Sequence, residues 1–282
     1  MTADADSARI SPTAHYTSYV WFLHGLSHPA LTTWLGATLH AALVPLNDAY
    51  DRLADHPGLD SMLLARHRVI DHLLQTEVAA GRVGQVLEVA AGLSGRGYRF
   101  THTFPELRYV EADLPDMVAY KRRALERAGL RGRDHTVVEI DALEDTGPAS
   151  LPAVAAAHLD PARGTALVTE GLLGYFERAT VEAMWRRFAA ALRGFPRSLY
   201  LADLHLAADV TGLWAAEAFR TGLSLFARGA VHVDFETAED TVAALRAAGF
   251  REAALHRPGD VASVDVPDRA RRHLVCMIEA RA

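Results

Sequence analysis

Three acidic residues each follow a predicted strand in the middle of the chain: Asp113, Asp141 and Glu170. A run of small residues, 90–95 (AAGLSG), follows the strand before them. Because the carboxyl ends of parallel strands meet at one edge of an open sheet, these groups should lie together where such folds bind ligands. Carboxylates there accept hydrogen bonds from ribose hydroxyls or pair with an ammonium group.

The small-residue loop alone leaves three interpretations open. Ala90-x-Gly92-x-x-Gly95 fits a degenerate dinucleotide fingerprint, an S-adenosylmethionine loop or a tight structural βα turn. Asp113 lies 21 positions after Gly92, where an acid can bind both hydroxyls of an adenosine ribose. It could equally cap the helix that opens at Pro115, and the two roles are compatible.

Glu170 heads the apolar, glycine-spaced turn 170–176 (EGLLGYF). A purely structural turn has no need of an acid at this position. The ammonium group of a methionine moiety does need one, since a carboxylate is its natural partner.

Strands alternate with helices from residue 83 onward, which predicts a doubly wound, Rossmann-like α/β fold with a parallel sheet. The strands are predicted at 86–90, 107–111, 136–140, 166–169 and 198–204. Two final strands, 251–256 and 274–280, have no helix between them and should form an antiparallel hairpin on the sheet edge.

About eighty residues of helical pattern precede the first strand, over 12–26, 31–50 and 59–80 with breaks at Pro45 and 56–58. We therefore expect a helical cap or lid over residues 1–82 and an α/β domain over 83–282. A helical insertion is predicted near 207–225.

The first helical pattern carries Tyr16, Tyr19, Val20 and Leu23 at the spacing of one helix face. The favoured interpretation is core packing. The alternative is that Tyr16, Tyr19 and Trp21 wall a pocket for a flat, apolar substrate, with Tyr175 as a further candidate.

Composition narrows the function class. The chain has 282 residues, 50% hydrophobic content, a net charge of −6 and no long basic run, so nucleic-acid or membrane-surface binding has no support. Cys276 is the one cysteine, which excludes a disulfide or a cysteine zinc site within the chain, and we predict no metal. A small-molecule substrate and a cytoplasmic location are expected.

Three motifs together resemble the leucine carboxyl methyltransferase family of S-adenosylmethionine-dependent enzymes. They are 87–96 (LEVAAGLSGR), 111–115 (EADLP) with Lys121, and 170–176. Residues 11–16 and 25–29 resemble its bacterial branch acting on aromatic polyketide acids, the tetracenomycin carboxyl methyltransferase type. The resemblance covers about residues 12–204 and implies a class I methyltransferase sheet.

The resemblance implies a set of S-adenosylmethionine contacts. Gly92 and its neighbours Ala90 and Glu88 would cradle the methionine portion, and Asp113 would hold the ribose. The remaining positions are Asp141 and Ala142 beside the adenine, Glu170 at the ammonium group and Arg66 at the cofactor carboxylate. The family often has glycine at position 90 and an Asp-Thr pair at 94–95, so this loop is expected to differ slightly from the family pattern.

Methyl transfer to a carboxylate needs no general base, because carboxyl groups ionise near about pH 4, whereas a phenol with a pKa of about 10 needs one. His24 and His28 could serve a phenol, although a structural role is the commoner one for such histidines. The sequence therefore favours an O-methyltransferase acting on a small aromatic carboxylic acid.

Other function classes stay open at this point. They are a phenol O-methyltransferase, an NAD-dependent oxidoreductase, and an inactive cofactor-binding protein or one that methylates a protein C-terminus. The long helical segment before the first strand and the Glu170 turn disfavour the oxidoreductase.

Overall fold

The computed structural model describes residues 12–53, 58–210, 232–261, 263–266, 268–271 and 275–282. The strands in this part of the chain are β1 Gln85–Val89, β2 Arg108–Asp113, β3 His135–Glu139, β4 Thr165–Thr169, β5 Leu199–Leu204, β6 Glu252–His256 and β7 Cys276–Arg281. The helices are α1 Pro12–Leu23, α2 Trp34–Leu53, α3 Leu59–Ala79, α4 Arg96–Thr103, α5 Pro115–Arg127, α6 Leu151–His158, α7 Arg178–Leu192, α8 Ala207–Val210 and α9 Ala238–Ala248.

The strands form one mixed sheet in the order β3-β2-β1-β4-β5-β7-β6. Strands β1 to β5 pair in parallel, and β7 lies antiparallel between β5 and β6. The doubly wound α/β fold and the antiparallel pair at the sheet edge, both predicted from the sequence, are confirmed.

Alternate residues of the buried strands fill two core layers, one on each face of the sheet. Leu87 and Val89 pack with α6, α7 and α9, whereas Val86 packs with α3 and Phe100 of α4. This alternation follows from the period of two along a strand. Helix α3 of the predicted cap therefore covers a face of the sheet directly.

Helix α2 continues through Pro45, where the sequence predicted a break, so that prediction is wrong. Proline removes the hydrogen bond to the carbonyl four residues earlier, which belongs to Ala41. Pro45 and Ala41 are both exposed, so water can satisfy this carbonyl and the helix is retained.

The last predicted helix is confirmed with its caps. The Thr237 side chain accepts from Asp240 N at the start of α9, and Gly249 ends the helix in the left-handed conformation. Of the predicted insertion, α8 is described and residues 211–225 lie outside the described residues. Within the described ranges, no helix is both long and apolar enough to span a bilayer.

The turn after β1 contains a strained residue. Ala90 has φ +56°, in the left-handed region that favours glycine. We expect Ala90→Gly to leave the free energy of unfolding unchanged or raise it by up to about 1 kcal/mol, because relief of strain offsets the entropy that glycine adds to the unfolded chain.

Urea unfolding of Ala90→Gly and Ala91→Gly provides the comparison. Ala91 is buried beside Ala90 and is not in the left-handed region, so its replacement should destabilise the fold by about 0.5–1 kcal/mol. Equal destabilisation by both substitutions would show that Ala90 is unstrained.

Candidate functional site

The strand register places four residues at one level along the carboxyl edge of the sheet. Val89 of β1 pairs with Ala112 of β2 and with Thr169 of β4, which in turn pairs with Ala202 of β5. The residues that follow these partners are Ala90, Asp113, Glu170 and Asp203. Three carboxylates therefore flank the small-residue loop, as parallel strands require.

Asp113 closes this loop. Gly92 N donates to its Oδ2 at 2.6 Å, and Leu114 N donates to its Oδ1 at 2.8 Å, next to the start of α5. Burial raises the pKa of the Asp113 carboxyl against the opposing effect of these two donors. The spacing of 21 residues thus becomes a direct contact, whereas the predicted capping role is wrong, because Leu114 is the N-cap of α5 and no side chain caps this helix.

The ends of β2 and β3 expose apolar surface at the same edge. Leu114 is 56% exposed and Leu143 is 42% exposed. Asp141 Oδ1 accepts from Leu143 N at 2.9 Å, which fixes the turn around the half-buried Ala142. Two leucines thus flank the predicted adenine position.

A fully buried arginine, Arg96, lies behind the loop. Its Nε donates to Asp71 Oδ1 at 2.6 Å, and its two Nη atoms donate to Glu88 Oε1 and Glu170 Oε2. Glu88 also accepts from Tyr109 Oη at 2.7 Å, and burial raises the pKa of its carboxyl. The expected cofactor contact of Glu88 is not supported by this arrangement, since both of its oxygens bond behind the loop.

Arg66 links the ends of β4 and β5. Its Nε donates to Glu170 Oε1 at 3.1 Å, and its Nη1 donates to Asp203 Oδ2 at 3.1 Å. Gly171 has φ +69° and donates its N–H to Asp203 Oδ1 at 2.6 Å. A Cβ at Gly171 would lie 3.0 Å from Arg66 Nη2, so glycine lets this guanidinium approach the backbone.

The protonation of Glu170 is set by its neighbours. Burial alone would raise the pKa of its carboxyl, but His67 and Arg96 hold this pKa well below the ordinary value. Glu170 is therefore an anion at neutral pH and is able to pair with a cation.

The aromatic residues of α1 face different ways. Tyr16 is 1% exposed, and its Oη donates to Asp60 Oδ1 at 2.5 Å and accepts from Asn47 Nδ2 at 2.9 Å. Tyr19 packs against His40, with ring centroids 5.4 Å apart. Both contacts support core packing, the favoured interpretation, and not the alternative in which these tyrosines wall a substrate pocket.

Trp21 and Tyr175 lie nearer the carboxylates. The Trp21 ring packs at a tilt against His67, whose Nδ1 is 2.8 Å from Glu170 Oε2. Tyr175 ends a 3₁₀ turn after Glu170 and is close enough to Arg66 to influence the pKa of its guanidinium.

The two histidines proposed as bases occupy other positions. His24 is exposed after α1. His28 Nδ1 accepts from Ala30 N at 3.1 Å and caps a 3₁₀ turn, so this nitrogen already has a structural role. Neither position supports their expected role as catalytic bases.

A small pocket opens between the end of β5 and the turn that follows Glu170. Its wall includes the carboxylate of Asp203 and the imidazoles of His205 and His232. Two phenylalanine rings, Phe176 and Phe235, also line it. His232 Nδ1 lies 3.7 Å from Asp234 Oδ2, at the rim of the pocket.

Sequence analysis predicted Arg66 but missed Asp203, Asp71 of α3 and Arg96 of α4. Asp203 lies near the end of β5, the same signal that identified Asp113 and Glu170. Arg96 and Asp71 had no comparable local signal, because their contact depends on how two helices pack on one sheet face.

Comparisons with known proteins bear on this geometry. The sequence profile of the leucine carboxyl methyltransferase family matches residues 22–189. A relative from Mycolicibacterium paratuberculosis, provisionally named an S-adenosyl-L-methionine-dependent methyltransferase, is 36% identical over 135 residues, 46% of this chain and 41% of that relative. The chain therefore matches less than half the length of this relative.

Two solved structures share the fold over nearly the whole chain. A DUF574 family protein from Streptomyces avermitilis has a TM-score of 0.64 at 13% identity, covering 98% of this chain and 100% of that one. A protein from Thermobifida fusca, provisionally described as a methyltransferase, has a TM-score of 0.63 at 15% identity, covering 96% and 95%. These likenesses support the Rossmann-like class of the sheet.

The family predicted from the sequence is confirmed. The profile covers more than half of the 282 residues, including β1, β2, β4 and the Glu170 turn. The chain belongs to the leucine carboxyl methyltransferase family.

Proposed function

We propose that the protein transfers a methyl group from S-adenosylmethionine to the carboxylate of a small aromatic acid. The observation that carries the proposal is the level placement of Asp113 and Glu170 on either side of the Gly92 loop. One carboxylate suits the ribose hydroxyls and the other the ammonium group, and the loop lets the ligand approach the backbone.

The charge of the buried cluster agrees with a cationic ligand. In the described part of the chain, this cluster combines three guanidinium groups with four carboxylates. The guanidiniums belong to Arg66, Arg96 and Arg99, and the carboxylates to Asp71, Glu88, Glu170 and Asp203. S-adenosylmethionine carries an ammonium, a sulfonium and one carboxylate, so its net positive charge complements the excess carboxylate.

The other end of the cofactor would lie over β2 and β3. Leu114 and Leu143 offer exposed apolar surface to an adenine, and Asp141 with Ala142 forms the adjoining turn. The exposed leucines support this placement, since large apolar side chains at a pocket mouth usually contact a ligand or partner.

The acceptor would lie between the end of β5 and the turn that follows Glu170, next to the cofactor's methionine end. Phe176 and Phe235 supply apolar surface in the pocket there. Trp21 is 6% exposed, and its indole Nε1 has no hydrogen-bond partner among the described residues, so it suits an oxygen of the acceptor. Helix α1 would act as the lid, because Ala14 packs against Leu93 of the loop.

When bound, S-adenosylmethionine supplies an electrophilic methyl on its sulfonium. The task of this chain is to align a carboxylate oxygen with that methyl in a pocket free of water. No proton needs to move, because the acceptor is already ionised at neutral pH. Natural-product acids of the polyketide type are the proposed acceptors, as the N-terminal resemblance implies.

Phenol methylation is the second candidate, and the two histidines of the acceptor pocket favour it. His205 and His232 both line this pocket. An imidazole there could accept the phenol proton. The product and the pH dependence separate the two candidates.

Asp113→Ala and Glu170→Gln should each weaken binding of S-adenosylhomocysteine by about 1–3 kcal/mol, since each leaves polar ligand groups without their charged partner. Isothermal titration calorimetry measures this loss. Glu126→Ala, which removes an exposed carboxylate on α5, is the matched control and should bind as the wild type does. Unchanged affinity in both site variants would exclude the assignment.

The methyl-transfer rate should stay flat from about pH 6 to 9 if the acceptor is a carboxylate. Within this range two carboxylates of the buried cluster do not titrate: the pKa of Asp71 is about 2, that of Glu170 is also held low, and both stay ionised as pH rises. Burial lowers the pKa of the His67 imidazole from its ordinary value, which favours the neutral form of this ring over the range.

The product provides the decisive check, because mild alkali cleaves a methyl ester and not a methyl ether. Mass spectrometry before and after alkali treatment distinguishes them. A rate that climbs with pH, together with an alkali-stable product, would favour the phenol and leave the cofactor assignment intact.

A further inference from the structure

His67 of α3 is fully buried between the N-terminal segment and the cofactor-side carboxylate. Its side chain is 0% exposed. The ring of Trp21 from α1 lies against it, with centroids 4.5 Å apart and an interplanar angle of 34°. His67 thus touches α1 on one side and Glu170 on the other.

The partners of His67 fix its proton. Arg99 Nη2 lies 2.9 Å from Nε2, and a guanidinium can only donate, so Nε2 must carry the lone pair. Nδ1 then carries the proton and donates to Glu170 Oε2 at 2.8 Å. The opposite tautomer would set a lone pair against the carboxylate and an N–H against Arg99.

One neighbour, Arg96, finds no acceptor at Nδ1 in this tautomer and bonds to Glu170 instead. Arg96 Nη2 lies 2.9 Å from Nδ1 and donates to Glu170 Oε2. Asp71 Oδ2 is 3.7 Å from Nε2, too far to accept from it. Burial lowers the pKa of His67, and the ring is neutral near pH 7.

The lone-pair sites of the Glu170 carboxylate are partly occupied by its neighbours, including His67. A carboxylate offers about four lone-pair sites, two on each oxygen. Among the described residues, Oε2 accepts from His67 and Arg96, whereas Oε1 accepts from Arg66 alone. One site on Oε1 is left for a ligand, and its direction is set once Oε2 is held by two donors.

Arg99 extends this contact to the turn after α1. Its Nε donates to Leu26 O at 2.8 Å, and Leu26 N donates to Trp21 O at 2.8 Å. Ser27 packs so closely on Gly95 that a Cβ there would lie 2.9 Å from Ser27 Cα. Trp21 and Arg99 both contact His67, which in turn bonds to Glu170. The N-terminal segment is therefore linked to Glu170 through these two side chains and His67.

We propose that His67 is a positioning residue: it holds the Glu170 carboxylate for the ammonium group and makes this site depend on the docking of α1. The inference rests on the proposed function. It requires no contact between His67 and the cofactor, because the ring acts through Glu170.

The test measures S-adenosylhomocysteine affinity by calorimetry in His67→Asn, His67→Gln and His67→Phe. Asparagine places an N–H donor near the position of Nδ1, glutamine places its amide near that of Nε2, and phenylalanine keeps only the ring that packs against Trp21. We expect the asparagine variant to lose less affinity than the other two, which should each lose about tenfold or more, the size of one lost charged hydrogen bond.

Thermal unfolding of each variant separates positioning from packing. A purely structural role predicts that affinity follows stability, with asparagine no better than phenylalanine, and that result would overturn the proposal. If His67→Phe does not fold, the asparagine and glutamine pair still decides, because both carry an amide and differ in where it lies.

A double-mutant cycle tests the dependence on α1. Trp21→Leu should weaken S-adenosylhomocysteine binding in the wild type and have no further effect in His67→Phe. Additive losses would contradict the link through His67.

Failure of the proposed function gives a different pattern. A wild type that does not bind S-adenosylhomocysteine would exclude the cofactor itself. A wild type that binds it, loses affinity in Glu170→Gln and is unaffected by His67→Phe would exclude the role of His67 alone.

Discussion

The buried guanidinium of Arg96 has no access to water and is therefore surrounded by carboxylates. This requirement brings together residues from several elements of the fold. The three anionic partners of Arg96 come from different elements: Asp71 from α3, Glu88 from β1 and Glu170 from the end of β4. Removal of one partner from a buried ion cluster destabilises a protein by about 3–5 kcal/mol, because the remaining charges are left unpaired. The Arg96 cluster therefore fixes the loop, two strands and a helix relative to one another.

The site has two sides with different electrostatics. Behind the loop, arginine and carboxylate side chains satisfy each other and hold the backbone. In front of it, Asp113 and one acceptor site of Glu170 face the position proposed for the ligand. Glu88 and Asp113 are both acidic residues near the ends of strands, but they lie on different sides of the loop. Glu88 therefore bonds within the Arg96 cluster, whereas Asp113 closes the loop at the edge of the sheet.

Helix α3 links the N-terminal segment to the residues of the candidate site. Its apolar face packs on β5 and β7 in one core layer, and its polar positions supply Arg66, His67 and Asp71. A helix that fills the core and also supplies three site residues is an integral part of the α/β unit. Because α1 lies on His67 through Trp21, closure of the N-terminal segment and the geometry of Glu170 are physically linked.

The sequence by itself determined the order of strands and helices, the acids at the strand ends and the family. These features depend on local sequence. Residues that directly follow parallel strands lie at the same edge of the sheet, so Asp113 and Glu170 could be predicted as neighbours. Tertiary structure alone decided that Glu88 belongs to Arg96, that Tyr16 bonds to Asp60, and that Arg66 reaches Glu170 across 104 residues of chain. Such contacts depend on where α3 and α4 pack on the sheet face. The periodicity of a helix specifies which of its sides is buried, but it does not specify which residues of other elements that side will contact.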